Sequence, residues 1–300
     1  MLSLLADFRG ELAALMAALI WAVASVIYTG VGRHLSPLFL NLAKGVVAIA
    51  LILVILLLQG KLFPTVNDRA IALLSLSGVI GIGIGDTAYF ESLNCIGARR
   101  SLAIESLAPP LAALLALIFL QEYLDIAAWF GIALTIAGVI WVVLERVPDA
   151  TCSQLRPLRG IGSSLLAALC QASGAVLSRA ALAGTDIDPL WSTLARLLGG
   201  TSVLLIWIAI QRRSLKELKP LRSRKLLTTL IGTAFASTFL AIWLQQISLK
   251  HAAAGVSQAL SATSPLFVIP IAIAIGEKVS MRAIVGVIVA LSGIWLLFSP

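Results

Sequence analysis

The sequence predicts an all-α membrane protein of ten transmembrane helices, arranged as an inverted repeat of five plus five. Three observations predict it: a series of apolar stretches of bilayer-spanning length, little charge inside them, and short motifs that recur at nearly one offset. Of the 300 residues, 60% are hydrophobic and 12% charged, against roughly 45–50% and 25% in soluble domains. A helix of about 20 residues crosses about 30 Å of hydrocarbon and satisfies its own backbone, whereas spanning strands need an alternation of polar and apolar residues. The chain lacks that alternation.

The first span covers about residues 11–29. No small-residue cleavage signal follows it, so it is expected to be retained. The second, about 38–58, is apolar apart from Lys44. An ammonium near the bilayer centre costs about 2.5–3.5 kcal/mol on insertion scales and calls for a partner. The third span, about 70–93, contains GIGIGDTAYF. No strand precedes these glycines and no Lys-Ser/Thr follows, so they read as small residues that admit a close neighbour, not as a phosphate loop. Asp86 lies near the middle of this span with Tyr89 and Phe90 on its face, and an intramembrane carboxylate is a functional candidate by default. Consecutive antiparallel helices bring Lys44 and Asp86 to similar depth, which predicts an ion pair. The fourth and fifth spans cover about 101–120 and 126–144; Glu105, Ser106, Pro109 and Pro110 stand near the start of the fourth.

Five further spans follow at about 161–181, 189–210, 226–248, 255–275 and 283–298, and they repeat the first five. SPLFLNLAK (36–44) aligns with DPLWSTLAR (188–196), placing Pro37 on Pro189 and Lys44 on Arg196. SLAPP (106–110) aligns with SATSP (261–265), and GIALTIAG (131–138) with GVIVALSG (286–293). The expected units are therefore 1–147 and 161–300, joined by a polar linker at 148–160. Five is odd, so the second unit enters the membrane from the opposite side. Prolines interrupt the fourth and ninth spans at equivalent places, and the carbonyls they free, those of Glu105, Ser106 and Ser261, are expected near the midplane. Arg196 has no acid at the equivalent of Asp86, because Ile242 falls there, followed by Gln245 and Gln246.

Three cysteines without paired spacing and two histidines at loop edges indicate neither a disulfide framework nor a metal site. No cofactor is expected. Of the 22 Lys and Arg residues, five fall on the side of the N-terminus and fifteen on the other, seven of them in QRRSLKELKPLRSRK (211–225). The positive-inside rule then puts both termini outside. That basic loop is read as a topology determinant at anionic lipid, not as a nucleic-acid surface.

The chain resembles the drug/metabolite transporter superfamily, specifically its ten-helix members with two tandem EamA domains. The resemblance rests on ALIWAVASVIY (18–28), PLFLNLAKG (37–45), DTAYFESLNCIGARRS (86–101), LAPPLAALLALIFLQEYLD (107–125), SPLFVIPIAIAIGEKVS (264–280) and VGVIVALSGIWLL (285–297). It implies an alternating-access transporter of small organic metabolites, often an exporter; the absence of an Arg/Ser-rich transit stretch before the first span separately favours a bacterial-type inner membrane. The resemblance also implies termini inside, against the charge count. Glu122 and Glu277 match the family's glutamate after the fourth and ninth helices, where a helix-end role is expected. Proton-coupled or exchange transport is the leading expectation, with Asp86 as the protonatable group, Glu105 as a second, and Lys44 as the tuning charge. Tyr89, Arg196, Trp21, Gln171, Gln245, Gln258, Ser106 and Ser261 complete the expected cavity lining. The alternative is exchange of anionic metabolites such as organic phosphates or nucleotide sugars, with Lys44 and Arg196 as anion ligands. A membrane-embedded enzyme is disfavoured, since no Ser/His/Asp set, metal cluster or HExxH stretch is present. A monomer or homodimer is expected.

Overall fold

The computed structural model describes residues 8–31, 34–62, 64, 66–143, 157–264, 266–267 and 281–297. Most of the linker, the second half of the ninth expected span and Glu277 lie outside the described residues, as do the side chains of Arg99 and Arg100.

Every regular element among the described residues is helical: α1 Arg9–Val31, α2 Pro37–Leu58, α3 Asp68–Gly78, α4 Asp86–Glu105, α5 Ala108–Leu120, α6 Ile126–Val143, α7 Pro157–Leu182, α8 Pro189–Ile210, α9 Arg224–Ala234, α10 Ala241–His251, α11 Ala254–Ser261 and α12 Met281–Leu297, with a 3₁₀ stretch at Leu215–Arg222. Among the described residues, five runs are long and apolar enough to cross a membrane: Pro37–Leu58, Asp68–Leu93, Pro157–Leu182, Pro189–Ile210 and Arg224–His251.

The distribution of polarity is that of a protein in lipid. Leu58, Ile118, Phe119, Ile210 and Trp295 are exposed, while Asn41, Lys44, Thr193, Arg196, Gln245, Gln246 and Ser257 are buried. Water would drive the first group inward and leave the second outside. Hydrocarbon reverses the preference, because a polar group facing it has no partner.

Helix starts follow local chemistry. Pro37 and Pro189 occupy the first turns of α2 and α8, two helices of 22 residues each. There the missing N–H would be unpaired anyway. Asp188 Oδ1 accepts from Leu190 N at 2.8 Å and Asn67 Oδ1 from Arg69 N at 2.9 Å, closing the starts of α8 and α3.

Two features depart from the expected spans. First, α3 runs into α4 through a π segment, Val79–Gly85, and α9 runs into α10 through another, Phe235–Leu240. They sit one repeat apart. Second, the helix of the third span continues to Glu105 and breaks only at Ser106 and Leu107, so α5 is shorter than the fourth expected span. Pro109 and Pro110 explain the break: they fit the first turn of α5, but with no N–H they cannot bond the carbonyls of Glu105 and Ser106 to continue α4. α11 similarly stops at Ser261, with a turn at Ala262 and Thr263.

Small residues set the tightest packing. Ser77 Oγ donates to Gly174 O at 2.6 Å and pairs with Ser178 Oγ at 2.8 Å. A methyl built on Gly174 would stand 3.2 Å from Gly81 Cα, and one on Gly78 would run into the Arg196 carbonyl. α3 and its π segment are thus closed against α7 and α8. By the repeat, α9 corresponds to α3 and α1 to α7, yet α1 and α9 do not close. Between them lies a groove of about 510 Å³ lined by Leu19, Val23, Ile27, Thr229, Gly232 and Ala236. The hydroxyls of Thr228, Thr229 and Thr233 bond back to carbonyls of their own helix, which leaves hydrocarbon on the groove wall.

A polar knot ties the two halves at one end. Glu122 Oε1 takes Arg179 Nε at 2.5 Å and its Oε2 accepts from Ala254 N, the first residue of α11. Arg179 Nη1 also donates to the carbonyls of Leu249 and Lys250 at the end of α10. The carboxylate and guanidinium therefore close a helix start and a helix end together.

Candidate functional site

The polar centre is assembled around the first π segment. Inserting an extra residue per turn displaces the backbone ladder and frees carbonyls, and such bulges recur at functional sites. Here Asn41 Nδ2 on α2 donates to Ile82 O at 2.9 Å, and Thr87 Oγ1 donates to Gly83 O at 2.7 Å. Glycines at 81, 83 and 85 let neighbouring backbones approach while this geometry is held.

Asp86 is the first residue beyond the segment. Its Oδ2 accepts from Lys44 Nζ at 2.8 Å and its Oδ1 from Gln171 Nε2 at 3.1 Å. Lys44 is 8% exposed, and its ammonium also stands 5.0 Å from the centroid of the Phe90 ring. The lysine has the partner that its cost in hydrocarbon required: a carboxylate for charge and an aromatic face for the remaining field. Three helices, α2, α4 and α7, contribute to this one carboxylate, and α7 belongs to the second half.

The other expected residues distribute around it. Tyr89 and Glu105 are half-buried and lie within electrostatic reach of Asp86. Ser106 is buried at the α4–α5 break, and Ser261 is buried at the end of α11 with an Oγ that has no hydrogen-bond partner among the described residues. Gln258 is also buried and its Nε2 reaches Gln171 O at 3.5 Å. Trp21 Nε1 donates to Ser237 O, within the second π segment, at 3.0 Å, and Tyr28 pairs with Ser237 Oγ. Arg196 is 3% exposed, with Nη1 3.4 Å from Gln245 Oε1.

The two halves thus share one arrangement with different chemistry. In the first, a basic residue on α2 meets a carboxylate beyond the π segment. In the second, a basic residue on α8 meets an amide beyond the equivalent segment. The sequence gives no direct sign of a π segment, although the run of glycines before Asp86 is permissive for one. Asn41, one turn before Lys44 on the same helix face, was findable by that spacing. The role of Ser237 was not, because it acts through its backbone.

The sequence profile of the EamA-like transporter family matches residues 8–144 and again 158–299. No curated protein matches the chain. A solved structure, described only as the crystal structure of a protein, superposes with a TM-score of 0.76 over 96% of this chain and 96% of that one, at 15% identity. At that identity the likeness speaks for the fold alone.

Proposed function

The chain belongs to the EamA-like transporter family, and from that premise we propose that it is a secondary transporter of small organic metabolites, working by alternating access as an exporter in a bacterial-type inner membrane. Members of this family are transporters, not enzymes. In this reading ten spans form an inverted repeat, with five-helix units at 1–147 and 161–300 and a linker at 148–160. The solute is held between the units, near the breaks at Ser106 and Ser261.

One observation carries the reading: a Lys44–Asp86 pair with its lysine buried and its carboxylate half-buried, held by both halves beside a π segment. A buried pair adds little to stability compared with apolar residues of the same volume, so its presence calls for another reason. Coupling supplies one. When Asp86 takes a proton on a carboxylate oxygen, its charge is lost and Lys44 Nζ is left without a counter-ion. The helices that meet at Asp86 then have reason to rearrange. Glu105 is the second proton acceptor in this scheme, and solute exchange can drive the same step in place of a proton gradient.

Comparison of cytosol and medium from cells with and without overexpression is the test. One metabolite or a small set should be depleted inside and enriched outside, and vesicles holding the purified protein should exchange it. Unchanged metabolite levels, with vesicles that exchange no small solute, would overturn the proposal.

A further inference from the structure

Lys44 and Arg196 occupy equivalent places in the repeat but are not equally provided for. Lys44 has a carboxylate at 2.8 Å. Arg196 is 97% buried, since it is 3% exposed, and among the described residues no carboxylate lies within 4 Å of its guanidinium. Among the same residues its Nη1 has only the neutral oxygen of Gln245 at 3.4 Å, the long limit of a hydrogen bond, and its Nε has no partner. A second donor, Nε2 of the fully buried Gln246, also lacks a partner. The two belong to one contact, because Ser192 on α8, one turn before Arg196, bonds Gln246 Oε1 at 3.4 Å. What α8 and α10 enclose together is a surplus of donors and one positive charge without a counter-ion.

We propose that Arg196 docks a carboxylate group of the transported solute. The inference rests on the transporter reading above and narrows its substrate class. A carboxylate is an acceptor-only group with two oxygens, and the Nε edge of a guanidinium presents two parallel N–H donors to it. Gly81 faces this guanidinium: a methyl built there would stand 3.2 Å from Nη2, so any larger residue of the π segment would crowd the head group. The charge balance selects a monoanion. One uncompensated guanidinium is neutralised by one carboxylate. A phosphate dianion would add a second negative charge within electrostatic reach of Asp86. Lys44, already neutralised, is released from the role of anion ligand that its position alone suggested.

The test uses the full-length protein in lipid nanodiscs and four monocarboxylates, namely acetate, lactate, glycine and leucine, each against its amide. At least one carboxylate should raise the melting temperature saturably while its amide does not. Arg196→Gln should weaken that binding by about tenfold or more, and Arg196→Lys, which keeps the charge but not the fork, should retain part of it. If Arg196→Gln does not fold, the comparison of acid with amide in the unmodified protein and in Arg196→Lys decides. Equal binding of acids and amides, binding by none of the four acids, or undiminished binding in Arg196→Gln would overturn the assignment. Exchange of the metabolite identified from cells, measured in parallel, separates the two levels. Exchange that continues unchanged in Arg196→Gln removes the carboxylate site and leaves the transporter, whereas vesicles that exchange nothing remove the transporter itself.

Discussion

The π segment at Val79–Gly85 ends on Asp86, whereas its counterpart at Phe235–Leu240 ends on Ala241 and Ile242. Around the first, Ser77, Gly78, Gly81 and Gly174 bring α3 against α7 and α8 until backbone meets backbone. Around the second, α9 and α1 stay apart and leave a hydrocarbon-lined groove. The same supersecondary unit therefore serves twice, once as a closed seam beside a charged pair and once as an open seam beside a neutral amide. Duplication supplies the geometry, and the side chains that differ between the copies supply the asymmetry between them.

The largest expected effect comes from filling the closed seam. Gly78→Ala sets a methyl against the Arg196 carbonyl, which is backbone and cannot rotate away. The loss should exceed about 3 kcal/mol, above the usual cost of overpacking, and should appear as loss of monodisperse protein in size-exclusion chromatography. A normal melting curve would mean that the seam is looser than described.

Next come the helix breaks. Ser106→Trp and Ser261→Trp should each abolish most transport while membrane insertion is retained, because both serines are buried where the halves interrupt their helices. Unmodified rates in both variants would move the solute path away from the breaks.

The smallest effect is expected in the open seam. Gly232 lies close to the repeat equivalent of Gly78, yet a methyl there meets nothing within 4 Å. Gly232→Ala should stabilise by about 0.5–1 kcal/mol, through helix propensity alone, read as a small rise in melting temperature. Marked destabilisation would show that α1 and α9 close on each other in solution.

Much of this was legible in the chain itself. Apolar length located the five long runs, and the shared register of Pro37 with Pro189 placed two helix starts correctly. Opposed directions of adjacent helices were enough to pair Lys44 with Asp86. The α4–α5 boundary was placed too early, because apolar content does not distinguish the end of one helix from the start of the next, and only the proline pair marks it. The π segments left no periodic trace, since one extra residue per turn shifts the pattern by less than the scatter of an almost wholly apolar run. The partner of Trp21 was not legible for a related reason. That partner is a backbone carbonyl, which no side-chain pattern announces.

The account stands or falls on whether the Lys44–Asp86 pair couples transport or only holds the fold. Breaking a buried pair on one side costs about 3–5 kcal/mol, more than removing both charges. Lys44→Met should therefore be less stable than Lys44→Met combined with Asp86→Asn. The decisive measurement places that double variant in vesicles and follows the metabolite identified from cells, first down its own gradient and then against it under an imposed proton gradient. The account predicts downhill exchange close to that of the unmodified protein, and no accumulation. Accumulation at the unmodified level would contradict it, leaving the pair a structural element.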